Sequence, residues 1–234
     1  MNFIISLIAA IALVAIGRSF IKKHASLCYV ITTIISVLLV VGYSTGKIWT
    51  IQSPILLIIA LMLMNSAFAT ALFVVVMFTG AFKNGGKLIK FLMPIRAELS
   101  IIASILTLAH NISFGQQHFV ALFTAPETMS HNYIAASIVS LILIAIMIPL
   151  FITSFPSIRK KMKPKKWKKL QKLAYVFYGL IYVHVMLLMV PAFIQGRSMY
   201  LVSIIAYTVV FGTYAIMRIK KHSSRKSAKK SVAA

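Results

Sequence analysis

Two of the six histidines in this 234-residue chain lie inside apolar runs that are long enough to cross a membrane. His110 lies in "SILTLAHNISF" (104–114), and His184 lies in "YGLIYVHVMLLM" (178–189). Ionisable side chains at such depth are costly and usually serve a function. Two such imidazoles could be the axial ligands of one b-type haem, and bis-histidine haem suits electron transfer because no site is left open for oxygen. The alternative role is hydrogen bonding between helices.

The other reactive residues exclude several kinds of chemistry. The acidic residues are Glu98 and Glu127 alone, so neither a Ser–His–Asp triad nor paired carboxylates can form. The single cysteine, Cys28, excludes an intramolecular disulfide and a cysteine-ligated zinc or iron–sulfur site built by this chain alone. No Gly-rich dinucleotide or Walker pattern occurs, so an NAD(P)H-binding domain is not expected. The remaining histidines are interpreted as interfacial or solvated: His24, His118, His131 and His222.

The elements that carry these histidines are apolar helices. The chain is 60% hydrophobic, with a mean hydropathy of +0.94, and about 20 apolar residues span a bilayer core. The sequence therefore predicts an all-α polytopic membrane bundle of about seven transmembrane helices. The predicted spans are 3–20, 27–45, 53–79, 99–120, 133–154, 173–195 and 199–217.

The basic residues predict the orientation of the bundle. The net charge is +23, from 25 Lys and Arg residues. All of them except Lys47 and Arg197 fall in segments that seven spans place on one side, and basic loops stay cytoplasmic. The amino terminus is thus expected outside and the carboxyl terminus inside. The basic residues are expected to contact anionic lipid and not nucleic acid. The basic segments are 18–23, 83–96, 159–172 and 218–230.

The two buried histidines have matching depths in this topology. Spans 4 and 6 both begin on the inner side. His110 lies 14 residues after Arg96 and His184 lies 13 residues after Gln171, which is about 21 Å and about 20 Å of helix. Both imidazoles are therefore expected past the midplane, toward the outside, where they could bind one haem or bond to neighbouring helices.

The segment "TSFPSIRKKMKPKKWKKLQKLAYVFYGLIYVH" (153–184) resembles the ferric-reductase-like transmembrane domain family. That family includes ferric reductases, NADPH oxidases and the haem-binding membrane subunit of the methionine-sulfoxide reductase system. Its pattern is a Thr-Ser pair, a basic loop and W-x2-L-H-x3-Y-x8-H. "PIRAELSIIASILTLAH" (94–110) resembles the preceding family helix, which ends at a haem-ligating histidine. The matching residues are Thr153, Ser154, Trp167, Leu170, Tyr175 and His184, with Gln171 in place of the first histidine.

The resemblance implies a haem-binding transmembrane domain at residues 51–217, in a bundle that has a six-helix ferric-reductase-like core plus one helix. Predicted helices in 1–50 precede this domain. The low-complexity basic composition of residues 218–234 predicts a disordered cytoplasmic tail. Family members with two haems carry a second, inner histidine pair, which Arg96 or Ala97 and Gln171 replace here. One haem b, bound by His110 and His184, is therefore implied. The inner slot could hold FAD, FMN or a quinone. Its expected contacts are Arg96, Trp167, Gln171 and Tyr175.

The expected function is electron transfer across a bacterial plasma membrane. The donor would be an inner quinol, flavin or separate reductase. The acceptor would be ferric iron, an extracytoplasmic flavoprotein or a reductase partner. The chain would then be the electron-transfer subunit of an oxidoreductase, with the chemistry supplied by its cofactor. The alternatives are a non-redox membrane scaffold and a channel or transporter subunit, neither of which would bind haem.

Overall fold

The computed structural model of the chain describes residues 2–82 and 85–233, so Lys83 of the predicted inner loop lies outside the described residues. The described residues form helices and no strand, as predicted. The α-helices are α1 (Asn2–Lys23), α2 (Ala25–Ser44), α3 (Pro54–Met64), α4 (Ala67–Ala81), α5 (Lys87–Leu92), α6 (Arg96–His110), α7 (Gln116–Thr124), α8 (His131–Ile152), α9 (Pro156–Arg159), α10 (Pro164–Gln171), α11 (Leu173–Ile194) and α12 (Leu201–Ala233).

Six helical segments of the described residues are long and apolar enough to cross a membrane, and a seventh results if the bent pair α3 and α4 forms one span. This agrees with the prediction of about seven spans in a multi-pass membrane protein. Two of the segments combine several helices, because α5 to α7 and α10 to α11 follow one another with little change of direction. The six segments are Phe3–Lys23, Ala25–Ser44, Lys87–Thr124, His131–Ile152, Pro164–Ile194 and Ser198–Ser224.

The third predicted span, 53–79, is not one continuous helix. α3 ends at Met64, α4 begins at Ala67, and the two helices are bent by 57°. Ser66 between them has a left-handed φ of 57°, a conformation that costs an L-residue about 1–2 kcal/mol. Ser and Asn favour turns because their short side chains compete for backbone hydrogen bonds. The break leaves the last carbonyl groups of α3 without partners inside that helix.

The helix α4 forms the centre of the bundle. It packs against α1, α6, α11 and α12, and most of its residues are buried. A helix that is apolar on all sides is expected at such a position. Many large apolar side chains of the surrounding helices remain exposed, particularly in α1 and α2. A lipid bilayer would cover this surface.

Basic residues from the four predicted inner segments lie near one another at one end of the bundle. Nε of Arg18 donates to the carbonyl oxygen of Phe91 (2.7 Å). Nη1 of Arg218 donates to a carbonyl at the carboxyl end of α4 (2.7 Å). Arg96 and Arg159 line one cavity. The packing therefore agrees with the separation of charge that the sequence indicates.

The helix α12 is continuous from Leu201 to Ala233, through the basic segment that was predicted to be disordered. At the start of this basic segment, Arg218 and Lys221 both donate to the carbonyl oxygen of Gly80 (2.7 and 2.9 Å). Cations satisfy the free carbonyl groups at a helix carboxyl end and interact favourably with its dipole. Residues 218–221 are thus held against α4, while disorder of the remaining tail stays a prediction.

Candidate cofactor site

Two helices that contribute to the lining of one cavity carry the partly buried histidines. His110 is the last residue of α6, and a π-helical turn, Asn111–Gly115, connects it to α7. Turns of this type often occur at functional sites. His184 lies in the middle of α11, which packs along α8. Both imidazoles are partly buried.

The break between α3 and α4 supplies the hydrogen-bond partner of His110. Nδ1 of His110 lies 2.9 Å from the carbonyl oxygen of Met64, the last residue of α3. A carbonyl oxygen can only accept, so this contact places the imidazole proton on Nδ1. The lone pair of Nε2 is then free to bind a metal, and a main-chain acceptor on Nδ1 is a common second partner of metal-binding histidines.

The imidazole of His184 is held in the same tautomer. Its Nδ1 lies 3.3 Å from the carbonyl oxygen of Ala136 and 3.1 Å from Oγ of Ser140, both on α8. The carbonyl contact again requires the proton on Nδ1. The free lone pair of Nε2 is therefore available at His184 as well.

Both histidines line one cavity of about 150 Å³ between the helices. The structure thus brings together the two residues that the sequence predicts as ligands. Asn111 also lines this cavity, while its amide nitrogen donates to the carbonyl oxygen of Thr107 (2.8 Å). Most other lining residues are apolar or aromatic, including Phe73, Leu143, Phe177, Ile181, Leu188 and Met189.

This residue set fits a haem and not a metal site built from protein groups alone. The described residues contain no group of three or more His, Cys, Asp or Glu side chains placed to hold a metal ion. A haem needs only two protein ligands, because the porphyrin supplies the others. Two imidazoles with free Nε2 atoms in an apolar cavity provide that ligand set. Ligation itself stays a prediction.

A second cavity, of about 130 Å³, lies on the basic side of the first. Three of the residues predicted to contact an inner cofactor line it: Arg96, Trp167 and Gln171. Nε of Arg96 donates to the carbonyl oxygen of Val76 (3.1 Å), which orients the guanidinium. Nε1 of Trp167 and Nε2 of Gln171 bond to the carbonyl and hydroxyl oxygens of Thr153 (3.2 and 3.4 Å).

Tyr175, the fourth residue predicted for the inner site, does not line this cavity. Its hydroxyl accepts a hydrogen bond from Nη2 of Arg218 (2.5 Å), whose guanidinium also lies 4.8 Å from the centre of the tyrosine ring. The side chain is 46% exposed. The spacing after Trp167 indicates the correct helix, but α11 turns Tyr175 toward α12 instead of the cavity.

The sequence interpretation missed several polar residues of both cavities. Arg159 lines the inner cavity, where its guanidinium lies 4.9 Å from the centre of the Trp167 ring. Asn65, Ser66 and Ser140 line the outer cavity. Asn65 and Ser66 were detectable as two adjacent polar residues within an apolar run. Ser140 gave no such signal, since single serines are frequent in membrane helices.

The inner and outer cavities are separated by few side chains. Phe73, Met147 and Phe177 line both. The rings of Phe73 and Phe177 meet edge to face, with their centres 5.0 Å apart. Cofactors in the two cavities would therefore lie close to each other across an apolar partition.

A protein of Treponema pallidum (strain Nichols), described as an uncharacterized protein, is 38% identical to the chain over 221 residues. The match covers 94% of this chain, whereas the chain spans only 61% of the length of that relative. No family model matches the chain, and no solved structure matches it.

Proposed function

We propose that the chain is a ferric-reductase-like electron-transfer protein of a bacterial plasma membrane, which binds one haem b between His110 and His184. The observation that carries the proposal is the shared cavity that both histidines line, with Nδ1 of each ring within hydrogen-bond distance of a main-chain carbonyl oxygen. Haem, when bound, would supply a reversible one-electron iron couple. The bacterial origin of the relative supports the proposed location.

The chain's own residues would orient the ligands and exclude water. The carbonyl oxygens of Met64 and Ala136 fix the ring of each histidine and raise the basicity of its Nε2. The apolar lining gives a low dielectric, which influences the reduction potential. With His110 and His184 both bound to it, a haem iron would offer no open position to oxygen.

The inner cavity is proposed to hold the cofactor that delivers electrons, either a flavin (FAD or FMN) or a quinone. Arg96 and Arg159 could bind a phosphate or a carbonyl oxygen, and Trp167 could stack on a planar ring. Gln171 offers an amide to the ring edge. The donor would be a quinol, a flavin or a separate reductase on the basic side, while the acceptor would lie on the opposite side.

The proposal is tested by the dithionite-reduced minus oxidised absorbance spectrum of the detergent-purified chain, with haem quantified. We expect a bis-histidine b-type spectrum and about one haem per chain. His110→Ala and His184→Ala should each abolish haem incorporation.

His118→Ala is the matched control, because its ring stacks on Tyr133 (5.2 Å) away from the cavity lining. It should retain the spectrum. A folded chain without haem, expressed with adequate haem supply, would overturn the proposal and favour a non-redox scaffold or transporter subunit.

A further inference from the structure

An apolar groove of about 550 Å³ runs along the periphery of the bundle beside the central helix α4. The helices α1 and α12 supply its other long sides, and α5 completes the lining. Among the described lining residues none is charged, and Thr213 is the only one with a polar side chain. The groove is separate from both proposed cofactor cavities, because it shares no described lining residue with either.

The lining residues of α1 form one stripe that leads to Arg18. Leu7, Ile11, Val14 and Ala15 line the groove, and Arg18 continues the stripe because residues three and four apart are neighbours on a helix. Arg18 lies 11 residues after Leu7, which is about 16 Å of helix. One leaflet is about 15 Å deep, half of the hydrocarbon core of a bilayer. The groove therefore extends from the basic residues over the depth of one leaflet.

Arg18 is held beside this groove by one of the lining residues. Its Nε donates to the carbonyl oxygen of Phe91 (2.7 Å), and its guanidinium carbon lies 4.7 Å from the centre of the Phe91 ring. Phe91 lines the groove. No described residue accepts a hydrogen bond from Nη1 or Nη2 of Arg18. A guanidinium with two such nitrogens matches the paired oxygens of a phosphate.

Three lysines add positive charge near the same end of the groove. Nζ of Lys221 donates to the carbonyl oxygen of Phe82, another lining residue. Lys87 and Lys90 are exposed on α5, where each directly precedes a lining residue. Neither acidic residue of the chain lines the groove. This end is therefore electropositive, and such a surface attracts anionic headgroups.

We propose that the groove is a binding site for one anionic phospholipid of the inner leaflet. The phosphate would accept hydrogen bonds from Nη1 and Nη2 of Arg18, and an acyl chain would lie in the groove against α4. A zwitterionic lipid is disfavoured, because its own cation would approach Arg18 and the three lysines. The proposal assigns one defined site, beyond the general attraction of basic loops to the membrane, and it does not depend on haem binding.

The test is native mass spectrometry of the detergent-purified chain during titration with lipid. Dioleoyl phosphatidylglycerol and dioleoyl phosphatidylcholine have the same acyl chains, so the difference between them reports the charge of the headgroup. Glycerol 3-phosphate carries the phosphate without an acyl chain. We expect one phosphatidylglycerol per chain, bound more tightly than phosphatidylcholine. Glycerol 3-phosphate should not bind at the same concentrations.

Two variants test the two parts of the site separately. Arg18→Gln removes the charge beside the groove and should weaken phosphatidylglycerol binding by about 5-fold. Ala15→Phe places a ring in the groove and should weaken binding at least as much, because the acyl chain loses its space. Circular dichroism of each variant establishes that the helices are intact, and Ala15→Phe carries the test if Arg18→Gln does not fold.

Each variant has a matched control. Arg197→Gln removes an exposed arginine that the predicted topology places on the other side of the membrane. Ala12→Phe adds the same ring to α1 at an exposed position that does not line the groove. Both controls should bind phosphatidylglycerol as tightly as the unmodified chain.

Equal affinities for the two lipids would overturn the proposal, as would equal weakening by a variant and its control. Binding of glycerol 3-phosphate as tight as that of phosphatidylglycerol would indicate a phosphate site without an acyl chain, which also contradicts it. The same spectra report oligomers. A dimer that Ala15→Phe abolishes and Ala12→Phe preserves would assign the groove to a second copy of the chain instead of a lipid.

Discussion

Nδ1 of His110 lies 2.9 Å from the carbonyl oxygen of Met64, and this contact exists because the membrane helix breaks immediately after Met64. In an uninterrupted helix that oxygen would accept a hydrogen bond from the amide four residues later. The break frees it, and the imidazole takes the position of the missing amide. The irregular backbone at Asn65 and Ser66 therefore fixes the tautomer of His110.

The left-handed φ of Ser66 predicts an unusual response to glycine. Ser66→Gly should raise the free energy of unfolding by up to about 1 kcal/mol, because glycine adopts this φ without steric cost. Ser66→Val should lower it and reduce haem content, since a β-branched residue tolerates this φ poorly. Thermal unfolding in detergent, followed by the haem absorbance, measures both effects.

The same substitution at a helical serine is the control. Ser137 is buried within α8, where glycine is expected to destabilise by about 0.5–1 kcal/mol. Equal destabilisation by Ser66→Gly and Ser137→Gly would show that the break is not a favoured feature of the fold.

Ser140 predicts how strongly the second histidine depends on its partners. Ser140→Ala removes one acceptor from Nδ1 of His184 but leaves the carbonyl oxygen of Ala136 in place. Loss of a second partner of a ligand typically costs about 10- to 100-fold in affinity, and we expect the lower end here. Titration of haem into the apoprotein measures this change. Ser137→Ala, on the same helix but outside the cavity lining, should bind haem normally.

Most of the fold could be predicted from hydropathy and charge, because both are properties of whole segments. The apolar runs predict the membrane helices, and the basic segments predict which ends meet. The break at Asn65 and Ser66 could not be placed in this way, since two polar residues hardly change the average of a long window. Its position depends on the packing of α4 against four other helices.

For the candidate site, the sequence predicted how deep the histidines lie in the membrane better than it predicted the direction in which each side chain points. Equal distances from the inner ends predicted that His110 and His184 would lie at one level, and they line one cavity. The side on which Tyr175 emerges depends on the rotation of α11, which spacing along the chain does not determine. Arg159 was missed because a loop arginine within a basic run has no distinguishing pattern. Its role depends on the contact between Arg159 at the end of α9 and Trp167 of α10.

The inner cavity predicts which residues control a second cofactor. Arg96→Gln and Trp167→Phe should each reduce the flavin or quinone that co-purifies with the chain, because both side chains line the cavity. Extraction of the purified protein, followed by chromatography with absorbance and fluorescence detection, identifies and quantifies the cofactor. The haem content should stay near that of the unmodified chain, since His110 and His184 line the other cavity.

Tyr175→Phe is the matched control for these variants. Tyr175 follows the cavity-lining residue Ala174 in sequence, but its hydroxyl accepts from Arg218. Loss of this hydroxyl should therefore leave the cofactor content unchanged. A loss of cofactor in Tyr175→Phe as large as that in Trp167→Phe would contradict the assignment of the inner site.

The distribution of charge predicts which ends of the helices face the cytoplasm, and this determines the direction in which electrons would move. Cys28 is the single cysteine, so Cys28→Ser provides a background for labelling single introduced cysteines. Lys47→Cys should react with a membrane-impermeant maleimide in intact cells, because Lys47 is exposed in a segment predicted to be outside. Lys166→Cys, exposed in the basic inner loop, should react only after the membrane is permeabilised. The reverse pattern would place the basic segments outside and would reverse the direction of the proposed electron transfer.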